Sequence, residues 1–282
     1  MLVIRSAARM AALARRLARQ GKRIGFVPTM GALHEGHRSL IRAAAARHDV
    51  VIVSIFVNPL QFGPREDFAR YPRPFRRDLR VARAAGADII FAPSARELYP
   101  GGFQTAVEVG PLARRWEGRV RPGHFRGVAT VVAILFELTR PTSAYVGQKD
   151  YQQALIIRRL IRDLRLPIRL RILPTVREAR GLAMSSRNAS LSAIERRRAA
   201  ALYRALRAGR DRIRAGERRA DHVVALMRRL IRAPRLVRLD YVAVVDGSTL
   251  EPLRRLRGRV ALVGAVRVGR TRLIDNILVD VP

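Results

Sequence analysis

Short apolar runs alternate with longer amphipathic stretches over the first part of the chain. Leu2–Ile4, Ile24–Val27, Val50–Phe56, Ile89–Ala92 and Ala144–Val146 read as strands, because each is a compact block of branched or aromatic residues bounded by polar or turn-forming ones. Between them, apolar residues recur every three or four positions. That spacing predicts helices near Ala8–Arg19, His37–Arg47, Phe75–Ala85, Val128–Leu138 and Gln152–Leu164, followed by another strand at Arg169–Leu173. Strands that are apolar throughout, separated by helices, imply a parallel sheet covered on both faces. Ligands of such sheets bind beyond the C-terminal ends of the strands.

The pattern changes after residue 175. Ser190 to Arg232 reads as helical, with Ser190 or Ser192 as its cap and Arg-rich exposed faces. Strands follow at Arg238–Val245, Val260–Val268 and Leu273–Leu278, with turn signals at Asp246-Gly247 and around Gly269. The expectation is an α/β domain over 1–175 and a smaller C-terminal α+β domain over 176–282. No apolar run approaches the ~18 residues needed to span a bilayer, and the longest, Val128 to Phe136, stops at Glu137. The first 22 residues are acid-free and rich in Arg and Ala, as targeting peptides are. A strand, a Ser6-capped helix ended by Gly21 and an immediate second strand fit that stretch better and leave no spacer to cleave.

Composition adds two points. The chain has no Cys, which excludes disulfides, thiolate metal sites and a thiol nucleophile. Basic residues outnumber acidic ones 56 to 22, a formal charge of +34, yet only Lys22 and Lys149 are lysines. Such a surface attracts polyanions non-specifically at low salt. The basic residues are spread along the whole chain and aromatics are 6%, which is not the signature of a dedicated RNA-binding module. Where Lys persists against so much Arg, the position calls for an ammonium in place of a planar guanidinium.

Three polar segments sit where strands end, and a fourth lies in a loop. Pro28-Thr29-Met30-Gly31-Ala32-Leu33-His34-Glu35-Gly36-His37 joins a strand to a helix. Gly31 and Gly36 allow tight turning, and the helix start offers N–H groups and a positive dipole end suited to phosphate. His34 and His37, three apart, face one side and can donate to phosphate oxygens. The plainer reading is a pair of helix caps. A zinc site is disfavoured, because the metalloprotease pattern spaces its histidines by four and no third ligand is evident. Asn58-Pro59-Leu60-Gln61-Phe62-Gly63 follows the next strand; Gln61 offers donor and acceptor, and Asn58 with Pro59 can simply build a turn. Gly147-Gln148-Lys149-Asp150-Tyr151-Gln152-Gln153 supplies a phosphate-bridging ammonium, a carboxylate fit to cap a helix or bind ribose, and Gln153 one turn on. Met184-Ser185-Ser186-Arg187-Asn188 offers hydroxyls and a guanidinium for a polyphosphate, or is a solvated loop.

These segments resemble one family. GFVPTMGALHEGH, SIFVNPLQFGPREDFARYPR, GQKDYQQ and PTVREARGLAMSSRN, in this order, are close to the signature segments of the pantoate–β-alanine ligases of the nucleotidyltransferase superfamily. The tail segments LDYVAVVD and GRTRLIDNIL extend the likeness over essentially the whole chain. The resemblance implies a Rossmann-like nucleotide- and pantoate-binding domain and a C-terminal lid. It implies ligation of pantoate and β-alanine to pantothenate with Mg2+ and ATP, through a pantoyl adenylate, with release of pyrophosphate and AMP. It further implies a cytoplasmic homodimer.

Carried over by motif, Met30, Gly31, Ala32, Leu33, His34, Glu35, Gly36 and His37 would line the ATP site, with His37 the proton donor and His34 a phosphate contact. Gln61 would hold pantoate and adjoin β-alanine, and Gln153 would hold pantoate. Gly147, Gln148, Lys149 and Asp150 would bind nucleotide, and Val176 would meet adenine by backbone. Met184, Ser185, Ser186 and Arg187 would close over the phosphates, so that Lys149, Ser185, Ser186 and Arg187 join the two histidines as catalytic groups. The resemblance provides no protein-held metal site. Four positions depart from the family pattern: Arg38 stands where an aliphatic residue is usual, Glu137 replaces the Asn of LFN, Thr142 the Asp of RPD and Arg180 the Asp of READG. The competing expectations are another nucleotidyltransferase of the superfamily, or a basic RNA-binding protein on the same fold.

Overall fold

The computed structural model describes residues 1–64, 66, 68–232 and 236–282. Arg65 and Asp67, within the second quoted segment, lie outside the described residues. The chain divides into two compact units, Met1–Gly147 with Gln152–Pro174, and Gln148–Tyr151 with Thr175–Pro282.

The first unit is built on a six-stranded parallel sheet. Its strands are β1 (Leu2–Ile4), β2 (Ile24–Thr29), β3 (Val50–Ile55), β4 (Ile89–Phe91), β5 (Ser143–Gly147) and β6 (Arg169–Leu173), in the order β1-β4-β3-β2-β5-β6. Alternate residues feed two cores. Phe26, Ile52, Phe91 and Val146 pack under α1 (Ala7–Arg19), α6 (His124–Thr139) and α7 (Tyr151–Asp163). Val27, Val53, Ile90 and Tyr145 pack under α2 (Glu35–Ala45) and α3 (Phe75–Ala84). A sheet covered on both faces is what the uninterrupted apolar strands require. Two short helices absent from the sequence expectation are α4 (Ala95–Leu98), capped by Ser94, and α5 (Glu117–Val120). Helix α6 also starts four residues before the expected Val128.

The strand order places the site. β2 lies between β3 and β5; the connection from β2 runs to β3 and that from β5 runs to β6, in opposite directions, so the switch point falls between the carboxyl ends of β2 and β5. Met30 follows the end of β2, Asn58 follows β3, and Gly147 ends β5. Three of the four polar segments thus start from adjacent strand ends.

The second unit is α+β. Helices α8 (Ala193–Arg214) and α9 (Ala220–Arg232) pack on an antiparallel sheet of β7 (Val237–Asp246), β8 (Gly258–Val268) and β9 (Thr271–Val281), in the order β7-β8-β9. The helical stretch expected from Ser190 to Arg232 is two helices. Gly216, at φ +101°, follows the C-cap Ala215 and ends α8 in the left-handed turn that glycine adopts without strain. Ser192, not Ser190, is the cap; its hydroxyl accepts from Glu195 N–H while the Glu195 carboxylate accepts from Ser192 N–H. No helix among the described residues is long and apolar enough to cross a membrane.

Candidate active site

The histidine segment is held by its own backbone and by one buried carboxylate. Thr29, at the end of β2, donates to Ser54 C=O and accepts from Gly31 N–H (2.7 and 3.1 Å), which starts the turn. Gly31 stands at φ +82°, and a Cβ there would approach an Asp78 carboxylate oxygen at 3.0 Å. Asp78, on α3 and 1% exposed, accepts from Ala32 N–H and Leu33 N–H, each at 2.8 Å. Burial pushes the Asp78 carboxyl up, and the two N–H bonds oppose it. Leu33 is buried beneath the segment, while Met30, Ala32, His34, Glu35, Gly36 and His37 are half-buried.

The two histidines are caps, as the plainer reading expects, and the caps define their chemistry. His34 Nδ1 accepts from Gly36 N–H, and His37 Nδ1 accepts from His34 N–H, both at 3.2 Å. A ring nitrogen that accepts a backbone N–H carries no proton, so the proton of each neutral ring is on Nε2. The rings lie 4.1 Å apart between centroids at the positive end of α2. Capping therefore uses Nδ1 of each side chain, and the neutral tautomer places its donor on Nε2. Glu35 in the first turn is bound at both oxygens, by Arg38 and Arg42 at 2.8 Å. The departure at Arg38 thereby meets an acid that would otherwise repel an anion at this helix start.

Gln61 sits in a short 3-10 turn, Pro59–Gln61, and is 7% exposed. Asn58 caps the turn through Leu60 N–H, and its amide donates to Gln61 Oε1 (3.2 Å) and Gly127 C=O (3.0 Å). The Gln61 amide contacts Met30 Sδ at 3.0 Å. Tyr99 donates to Asn58 Oδ1 at 2.7 Å. His124 completes the frame: its Nδ1 lies 2.8 Å from Gln61 C=O and its Nε2 3.1 Å from an Arg121 amine. The carbonyl can only accept and the guanidinium can only donate, so His124 is neutral with its proton on Nδ1. Burial, aided by the Arg121 charge, lowers its pKa to about 4. The half-buried side chain of Gln153 on α7 has no hydrogen-bond partner among the described residues, whereas that of its buried neighbour Gln152 donates to Leu112 C=O and Arg115 C=O.

The remaining predicted residues, apart from Gly147 at the end of β5, belong to the second unit. Gln148, Lys149 and Asp150 form a 3-10 turn. Lys149 donates to Asp150 Oδ1 at 3.2 Å. Asn276 on β9 donates to the carbonyls of Gln148 and Lys149, both at 2.9 Å, and accepts from the Gln148 amide. Val176 C=O accepts from Met184 N–H at 3.0 Å, which closes the loop between them. Arg180 is exposed at the turn within that loop. Ser185 caps a second short turn through Arg187 N–H, and Ser185, Ser186 and Arg187 are half-buried. Sequence reasoning missed Asp78, His124, Arg177, Asp275 and Asn276. The signal for the last two was available, since Asp275-Asn276 interrupts an apolar strand.

A doubly covered parallel sheet with polar turns at its switch point, and a helix start carrying two Nε2 donors, has the design of a nucleotide-handling α/β enzyme. The pantoate-beta-alanine ligase family matches residues 2–278. The pantothenate synthetase of Moorella thermoacetica is 57% identical over 265 residues, covering 94% of each chain. The crystal structure of the Thermus thermophilus pantothenate synthetase superposes with a TM-score of 0.93 at 47% identity, covering 98% of this chain and 99% of that one. That of the Francisella tularensis ligase, complexed with beta-gamma ATP and beta-alanine, superposes with a TM-score of 0.79 at 34% identity over 99% and 97% of the two chains. The chain belongs to the pantoate-beta-alanine ligase family.

Proposed function

We propose that this ATP-dependent pantoate–β-alanine ligase works through a pantoyl adenylate. A carboxylate is a poor electrophile. Attack of a pantoate carboxylate oxygen on the α-phosphorus breaks the bond to the β-phosphate, releases pyrophosphate and yields a mixed anhydride. The β-alanine amine then attacks the acyl carbon, the acyl–oxygen bond breaks, AMP leaves and the nitrogen loses a proton. Such chemistry asks mainly for positioning and for donors aimed at developing phosphate charge.

The observation that carries this reading is the paired cap at the start of α2, which puts the ring protons of His34 and His37 on Nε2. In it Met30 to His37 cradle the triphosphate, with His37 delivering a proton to the leaving pyrophosphate and His34 donating to an oxygen. Gln61 and Gln153 hold pantoate, and Gln61 adjoins β-alanine. Gly147, Gln148 and Asp150 take nucleotide, Val176 meets adenine by its backbone, Lys149 neutralises phosphate, and Met184, Ser185, Ser186 and Arg187 clamp it. The second unit is the lid that keeps water from the anhydride.

Among the described residues no three His, Asp or Glu side chains are grouped to hold a metal. Mg2+ would be carried on the triphosphate, where it would offset phosphate charge. The beta-gamma ATP and beta-alanine complex of the Francisella relative supports the same substrate classes here. A homodimer and a cytoplasmic setting rest on the family resemblance alone.

The test is stepwise product release from Mg-ATP. Pantoate alone should release about one pyrophosphate per active site, and AMP should appear only when β-alanine is added. AMP and pyrophosphate appearing together, and only with β-alanine present, would overturn the adenylate order.

A further inference from the structure

Two adjacent residues of β9 hold both nucleotide segments of the second unit. Successive strand residues point to opposite faces. Asp275 therefore shares the helix-packed face with Leu273, Val279 and Val281, and Asn276 takes the other. Both are buried, at 5% and 3% exposure.

Asp275 binds Arg177 through two parallel bonds of 2.6 and 3.0 Å. Burial pushes the Asp275 carboxyl up and the guanidinium opposes it. Arg177 also donates to Gly181 C=O at 3.0 Å and lies 4.1 Å over the Tyr203 ring. Its backbone bridges to Ala183, so fixing Arg177 fixes both sides of the turn that leads into Met184–Arg187. The turn has no slack, because a Cβ on Gly181 (φ +90°) would meet Tyr203 at 2.1 Å. Asn276 spends both amide hydrogens on the carbonyls of Gln148 and Lys149. A buried ion pair stabilises little relative to apolar residues of the same volume. Stability alone is thus a poor reason for an Asp-Asn pair in this strand.

We propose that Asp275 and Asn276 are positioning residues for adenylation: Asn276 aims Lys149 and Asp275 sets, through Arg177, the loop carrying Ser185, Ser186 and Arg187. The inference rests on the nucleotide role of Lys149 given above. Its test uses the scarcity of lysine. The chain has only Lys22 and Lys149, so acylation by an amine reagent, read by mass spectrometry, resolves them without any substitution.

In the wild type, Mg-ATP should protect Lys149 and leave exposed Lys22 reactive. Asn276→Ala should raise the ATP concentration for half-protection by about tenfold and slow pantoate-dependent pyrophosphate release by about tenfold, with the KM for pantoate unchanged. Asn276→Asp keeps the volume but turns oxygens toward two carbonyls, so it should be no better, whereas a packing role would be rescued. Val279→Ala, a core truncation on the same strand, should lower the melting temperature and leave both readouts unchanged. Asn276→Ala with wild-type protection and pyrophosphate release would overturn the inference. Failure of ATP to protect Lys149 in the wild type would overturn the parent reading, and this inference with it.

Discussion

The histidine segment and the segments around Lys149 and Met184 are held in place by opposite means. The first is organised locally. Thr29, His34 and His37 bond backbone groups two or three residues away, with Ser54 of β3 and Asp78 of α3 bracing the turn from outside. The second pair is organised from afar, by Asp275 and Asn276 across 98 and 127 or 128 residues of sequence. A locally capped turn can form as soon as its helix does, whereas distant brackets exist only once β9 has joined its sheet. The contrast says where each region is vulnerable: to loss of one buried acceptor in the first unit, to loss of the β9 side chains in the second.

The sharpest way to break the first region is Asp78→Ala. A buried N–H at Leu33 and a half-buried one at Ala32 lose their acceptor, at about 1–3 kcal/mol for a buried group. Urea denaturation should show a loss of about 2–4 kcal/mol, with pyrophosphate release down about 100-fold as the loop relaxes. Wild-type activity in that variant would mean that the histidine caps alone hold the segment.

Next in size is a pH effect at Gln61. His124 has a pKa of about 4 in the folded protein against an ordinary value of 6.5. Between those values the unfolded chain binds the extra proton, so stability present above pH 6.5 is lost as pH falls toward 4, by roughly 3 kcal/mol. Asp78 and Asp275, whose carboxyls burial raises, act with the opposite sign. The comparison is therefore with His124→Gln, which should flatten the fall in urea midpoint between about pH 7 and pH 4.5. An unchanged pH slope would contradict the neutral His124.

How much of this was legible follows the same division. The parallel sheet, its longer helices and three of the four polar segments could be read from periodicity and strand-end position, because each is encoded within a few neighbouring residues. The two-helix split at Gly216 was missed because a single glycine inside an apolar pattern reads as tolerable. Asp78 was hidden by its setting in an Arg-rich helix, where an acid looks like an ordinary surface residue until 1% exposure shows otherwise. His124 gave no sign of titrating abnormally, since burial and Arg121 come from tertiary packing. Asp275 and Asn276 broke the strand pattern visibly, but their partners lie too far along the chain to be guessed.

Smaller effects sharpen the second region. Lys149→Arg keeps the charge but replaces a compact ammonium by a planar fork, and should slow adenylation by about tenfold. Near-wild-type rates would remove the argument from lysine's scarcity. Arg180, exposed in the turn of the 176–184 loop, replaces a family acid and adds anion attraction there. Arg180→Asp should speed product release at low salt by only about twofold to fivefold, as suits a screened surface charge. An unchanged pre-steady-state burst would count against that role.

The fate of the carboxylate oxygens reports whether a pantoyl adenylate forms. Pantoate labelled with heavy oxygen in its carboxylate should deliver one labelled oxygen to AMP and keep the other in the amide of pantothenate. Label found in pyrophosphate or in water, with none in AMP, would show that the carboxylate never attacked the α-phosphorus.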